Sequence, residues 1–123
     1  MTDMRAVPSV KLDVDGLIEE ARAAERASRF DAARARYEAA LYRLPAGEAA
    51  TASALIRWIA RTHEASGDMG AAMDCLEAAL ATARAAESPA DIAHALNFGG
   101  ILRFRRGKLE EAEDLYCQAR EMA

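Results

Sequence analysis

Little in this chain could build a β-sheet. β-Branched residues are scarce and never alternate with polar ones over a useful window, which excludes strands as a main element. Aromatic residues make up only 6% of the 123 positions. The two cysteines, Cys75 and Cys117, lie far apart with no CxxC spacing. They form neither a disulfide framework nor a zinc pattern, and they read as free thiols of a reducing compartment. No apolar run approaches the ~20 residues that a membrane helix needs. Residues 1–12 lack the basic start and continuous apolar core of a signal peptide, so a cytoplasmic location is expected. Positive charge is also in deficit. The formal net charge is −4, the wrong sign for a generic nucleic-acid binder.

Catalytic patterns are missing as well. The chain has no HExxH, no Gly-rich phosphate loop and no Ser-His-Asp combination. Of its two histidines, His63 falls on an apolar stripe and His94 falls away from one, at the surface. Gly99-Gly100 lacks a preceding strand and the wider GxGxxG spacing, and it reads as a place where helices pack closely. The carboxylate runs Glu19-Glu20 and Glu110-Glu111-Glu113-Asp114 lie at helix beginnings, where negative charge is favoured, and face water rather than a metal. No enzymatic activity, cofactor or metal is expected.

What is present is alanine, 31 residues of 123, and a hairpin written three times. The stretches Ser28-Arg29-Phe30-Asp31-Ala32-Ala33, Gly67-Asp68-Met69-Gly70-Ala71-Ala72 and Gly107-Lys108-Leu109-Glu110-Glu111-Ala112 are alike. Four residues after the last Ala of each comes a large side chain, Tyr37, Leu76 or Tyr116, and three further on another Ala, Ala40, Ala79 or Ala119. Phe30 and Met69 are 39 residues apart, and Met69 and Leu109 are 40 apart. Two helices and their turns fill that length, and such regular self-similarity is the mark of a stacked repeat array.

The elements follow from helical spacing and end signals. Residues 1–12 read as a flexible N-terminal tail. A first helix starts near Asp13 or Asp15 with Leu17, Ala21, Ala24 and Ser28 on one face. After a turn capped by Asp31, a second helix carries Ala33, Tyr37, Ala40, Leu41 and Leu44, and stops before Pro45 and Gly47. The second hairpin begins at Glu48 to Thr51 with Leu55, Ile56, Ile59, Ala60 and His63 inward. Gly67 ends that helix, and Asp68 caps the next, which shows Ala72, Met73, Leu76, Ala79, Leu80 and Ala83. Ser88-Pro89 opens the third hairpin, since Ser is a good cap and Pro is pre-set for the first helical position. Ile92, Ala95, Leu96, Gly99 and Leu102 then face inward. After Gly107 come Leu109, Ala112, Leu115, Tyr116 and Ala119.

These residues resemble the tetratricopeptide repeat. Leu17, Ala21, Phe30, Ala33, Tyr37, Ala40 and Pro45 match its signature in the first copy. Ile56, Ile59, Ala60, Gly67, Ala72, Leu76 and Ala79 do so in the second, and Leu96, Gly100, Gly107, Leu109, Ala112, Tyr116 and Ala119 in the third. The period exceeds the usual 34 residues, and longer helices of this kind are similar to those of kinesin light chains and of bacterial peptide-sensing regulators. The resemblance implies an all-α fold, three hairpins stacked as a right-handed α-solenoid over residues 13–123, with repeats at about 13–47, 48–87 and 88–123. It also implies a non-catalytic scaffold that binds a protein or peptide in a concave groove lined by the first helix of each repeat.

On that arrangement, helical spacing assigns residues to the groove. The first helix offers Arg22 and Arg26 beside Asp15, Ile18 and Glu25. The second offers Arg57, Trp58 and Arg61 beside Ala54 and Glu64, and the third offers His94, Asn97, Phe98, Ile101, Phe104 and Arg105. Arginines outnumber acids there, so an acidic partner is expected, with Arg and Trp as binding anchors. A second account stands beside this one: Trp58 and Phe98 pack between neighbouring first helices, and the arginines pair with acids, Arg57 or Arg61 with Glu64. The Lys, Asn and Arg set that grips heat-shock protein tails is not reproduced, since Ile18, Trp58 and Phe98 stand in place of polar members. At the far end, Leu115, Tyr116 and Ala119 are expected to lie uncovered. That suggests a homodimer through the C-terminal hairpin, and an alternative role as a self-association module or as a regulatory domain of a larger protein.

Overall fold

The computed structural model describes residues 10–122, with side chains from Asp13 onward. Six helices follow one another: α1 (Val10–Arg26), α2 (Phe30–Tyr42), α3 (Ala49–Ala65), α4 (Met69–Ala85), α5 (Pro89–Arg105) and α6 (Leu109–Met122). No strand occurs among the described residues. Each helix packs mainly against its neighbours in sequence, and α3 also touches α5, so the first helices of successive hairpins lie side by side. This is an all-α helical-repeat solenoid.

The hairpins close because small residues stand where helices cross, which lets backbones approach to about 8–10 Å. Ala33, Ala72 and Ala112 are buried at one repeat position, and Ala40, Ala79 and Ala119 at another. On the first helices Ala21, Ala60 and Gly100 hold equivalent places, and all three are buried. The third copy is the tightest. A Cβ on Gly100 would stand 2.5 Å from Cε1 of Tyr116, so no side chain fits there.

Short turns set each hairpin. The second residue past each helix end takes a left-handed backbone, at φ 60° for Ser28, 88° for Gly67 and 78° for Gly107. The amide of the following residue then donates back to a carbonyl five residues earlier. Arg29 N–H reaches Ala24 O at 2.8 Å, and Asp68 and Lys108 N–H reach His63 O and Arg103 O, each at 2.9 Å. Glu87 does the same between hairpins, at φ 52°. Glycine adopts this conformation without steric cost; Ser28 and Glu87 adopt it against one.

Two caps follow the sequence. The Asp68 carboxylate accepts from Ala71 N–H at 3.0 Å. The Ser88 hydroxyl accepts from Asp91 N–H and donates to the Asp91 carboxylate at 2.8 Å, with Pro89 in the first turn. Asp31 does not cap α2. The N-cap is Arg29, with no side-chain bond. Asp31 already lies within the first turn of the helix, past the capping position, and pairs instead with Arg34 at 3.1 Å.

Other details depart from the sequence reading. The flexible tail expected over 1–12 lies mostly outside the described residues, but α1 already begins at Val10. Val10, Val14 and Leu17 continue the helical apolar period upstream, and Val14 is buried. Ser28 is a turn residue, exposed, not part of an apolar face. Ser53 and Thr62 are buried polar residues that the stripe did not include. Each is satisfied: the Ser53 hydroxyl donates to Ala79 O at 2.8 Å, and that of Thr62 to Ile59 O at 2.7 Å. Arg34 of α2 then stitches the first two hairpins, donating to Thr62 Oγ1, Thr62 O and Ser66 Oγ at 3.1, 3.2 and 3.0 Å.

Replacement of Gly100 by Ala is expected to cost about 1–3 kcal/mol in urea unfolding, since the Tyr116 ring must be displaced. Ser28→Gly is expected to add about 0.5–1 kcal/mol in the same assay, by relieving the left-handed strain.

Candidate functional site

The first helices α1, α3 and α5 carry every residue that the sequence assigned to the groove, and ion pairs tie these helices to one another. Arg61 of α3 grips Glu25 of α1 with both arms of its guanidinium, at 2.5 and 2.9 Å. Arg105 of α5 bonds Glu64 of α3. Arg57 of α3 lies 3.7 Å from Asp91 of α5, with side chains only 15% and 18% exposed. Neither Arg57 nor Arg61 pairs with Glu64. On one helix those residues point along a single face, whereas the neighbouring helix offers a carboxylate at the right height and distance.

Glu25 is the hub. The Tyr37 hydroxyl donates to it at 2.7 Å alongside the Arg61 fork. Burial pushes its pKa up, but the hydrogen bonds from Arg61 and Tyr37 and the charges of Arg61 and Arg22 outweigh that, leaving the carboxyl below its ordinary 4.5. Burial, with help from the bond to Glu25 and its charge, pushes the Tyr37 phenol up to about 12. For Arg61 the Glu25 hydrogen bond raises the pKa against burial. Arg57 differs: burial lowers its pKa despite Asp91, and its Nη1 is buried with no hydrogen-bond partner. At 3.7 Å the pair attracts but does not bond.

The aromatics sit deeper than the groove reading expected. Trp58 packs on the first core cluster, its ring centroid 5.7 Å from that of Tyr37 at a tilt of 44°. Arg22 stacks over it at 5.0 Å, a cation–π contact from α1 to α3. Phe98 packs on the second cluster, with Ala72, Leu76, Ala95 and Leu102. His94 and Asn97 are exposed on α5, and Ile101 partly so. Phe104, near the end of α5, lines a trough with Leu109 and Tyr116 of α6.

The arrangement therefore leaves a smaller cationic centre. Arg57, Arg61 and Arg105 are neutralised by acids, whereas Arg22 and Arg26 meet no carboxylate within ion-pair distance among the described residues. Both line an open cleft of about 360 Å³ with Glu25 and Arg61. Three guanidiniums face one carboxylate there. Arg is suited to bidentate capture of a planar anion.

Among the described residues nothing else competes chemically. Among the described residues no group of three His, Cys, Asp or Glu side chains could hold a metal ion. Both cysteines are free, and burial, with the charges of Asp74 and Glu38, raises the Cys75 thiol away from reactivity. No described helix is long and apolar enough to cross a membrane.

Sequence comparison adds a family. Residues 50–123 match the model described as the tetratricopeptide repeat. No curated protein matches the chain.

Glu25→Gln is expected to cost about 1–2 kcal/mol at neutral pH, the worth of charge-assisted bonds to Arg61 and Tyr37. A carboxyl with a lowered folded pKa contributes stability above its unfolded value and loses it as pH falls through the folded one. Urea unfolding across pH should thus show the gap between wild type and variant closing below pH 4.5.

Proposed function

Because the chain belongs to the tetratricopeptide repeat family, whose repeats generally mediate protein–protein interactions and are typically non-catalytic, we propose that it binds an acidic protein segment on the face formed by α1, α3 and α5. The observation that carries this reading is the cleft of Arg22, Arg26, Arg61 and Glu25, where Arg22 and Arg26 meet no carboxylate within ion-pair distance among the described residues. A glutamate or aspartate side chain, or a terminal carboxylate, fits its chemistry. The exposed His94, Asn97 and Ile101 of α5 extend the same face and supply polar and apolar contacts for the rest of the segment.

The recognition is therefore anchored at the α1–α3 end. Arg57 and Arg105 serve mainly to hold the first helices together, and Trp58 acts as the floor on which Arg22 rests. This role keeps Trp58 useful as a reporter. A bound carboxylate that draws Arg22 off the ring changes the environment of the only tryptophan in the chain.

Titration of Trp58 fluorescence with a library of acidic peptides tests the reading. Binding should weaken about tenfold or more in Arg22→Glu/Arg26→Glu, as expected when an interfacial charge is reversed. It should also weaken with added salt. Peptide affinity that is unchanged in the double variant and indifferent to salt would remove this cleft as the anchor.

A further inference from the structure

The largest exposed apolar side chains gather on the last hairpin. Apart from Tyr42 they are Ile101, Phe104 and Leu109, at 36%, 59% and 58% exposure. The sequence had placed the uncovered end at Leu115, Tyr116 and Ala119, but Ala119 is buried and the other two are half-covered inside the hairpin. Of these, Tyr116 still reaches the open surface, which extends toward Phe104 and Leu109. Phe104 and Leu109 border a trough of about 390 Å³ with Tyr116, Cys117, Glu113 and Arg120.

The repeat explains what makes this face different. The counterparts of Leu109 are Phe30 and Met69, both half-buried. Met69 packs against the cluster that includes Leu102 of the following hairpin. Among the described residues no helix does this for Leu109. The counterparts of Phe104 are Glu25 and Glu64, each the acid that pairs with an arginine of the next first helix. The third copy sets an aromatic ring where the others set a carboxylate. It is thus not prepared for another first helix of the same kind. The opposite end of the array is not its complement either. There α1 and α2 present Ala23, Ala27 and the exposed Glu20–Arg36 pair at 2.9 Å.

The apolar face is instead complementary to itself. Leu109, Glu113, Tyr116, Cys117 and Arg120 recur at helical spacing and share one side of α6. Glu113 and Arg120 are both exposed, and neither meets an opposite charge among the described residues. They lie symmetrically about the Tyr116–Cys117 step. An antiparallel second α6 crossing at that step brings each Glu113 opposite an Arg120 of the other copy, twice over.

We propose that the chain forms a two-fold dimer through α6, with Leu109 and Phe104 buried at its flanks and two Glu113–Arg120 pairs fixing the antiparallel register. The contact is isologous, so it closes at two copies. It leaves the α1–α3 cleft free, and it stands or falls independently of the peptide-binding reading.

Sedimentation of the full chain across a concentration series tests this. The expected result is a monomer–dimer equilibrium with no larger species. Glu113→Arg or Arg120→Glu alone should raise the dissociation constant about tenfold or more, since each sets like charges opposite one another at both ends. An equimolar mixture of the two variants should recover dimers, because a copy with two arginines at these positions then faces a copy with two glutamates. Circular dichroism of each variant separates lost association from lost folding. A strict monomer at high micromolar concentration would overturn the proposal and leave the face to an occupant other than a second copy. An open series of larger oligomers would overturn it in favour of end-to-end stacking, and a dimer indifferent to both charge reversals would overturn the register.

Discussion

The whole structure depends on how closely two helices approach within each hairpin. Ala21, Ala60 and Gly100 on the first helices are buried, Gly100 hard against the Tyr116 ring, and the buried alanines of α2, α4 and α6 let the backbones close. Once that distance is set, the left-handed turns at Ser28, Gly67 and Gly107 fix the return of the chain. Each hairpin then presents a half-buried apolar flank that only another hairpin can cover, which is why the repeat propagates.

Between hairpins the structure changes its means. Within a hairpin small apolar residues close the helix crossing, with polar links such as Tyr37–Glu25 and Ser53–Ala79 O beside it, whereas the join between hairpins leans on long polar side chains. Arg34 reaches from α2 to Thr62 and Ser66, and Arg61, Arg105 and Arg57 bridge successive first helices. Exposed ion pairs are individually worth little, but the Arg61–Glu25 fork is partly buried and backed by Tyr37. These contacts hold the first helices at a defined spacing and so shape the face on which a partner is proposed to lie. The same contacts consume most of its positive charge, which concentrates the remainder on Arg22 and Arg26.

The two proposed surfaces draw on opposite chemistries for that reason. One is cationic and lies where the ion-pair ladder begins, on α1. The other is apolar and lies where the ladder stops, at Phe104, whose counterparts in the earlier repeats are its acids. The first and third hairpins thereby present different faces without any change of fold.

Much of this was legible in the sequence. Periodicity, the Ala and Gly positions, Asp68 and Ser88-Pro89 determined six helices, three hairpins and nearly all of the core, because those features act through the local backbone and through contacts that recur with the repeat. Glycine at position 100 could be read as a close crossing before any partner was seen. What only the tertiary structure decided was the pairing of charged and aromatic side chains across helices. Nothing local marked Glu25, Arg34 or Asp91 as a partner of another helix, and the spacing that put Arg57 and Arg61 near Glu64 on one helix could not show that each had a better-placed acid on another. That Phe104 borders the terminal trough was likewise settled only by the packing of α5 on α6. Backbone rules are short in range and survive in the sequence; the ends of long side chains find partners only in three dimensions.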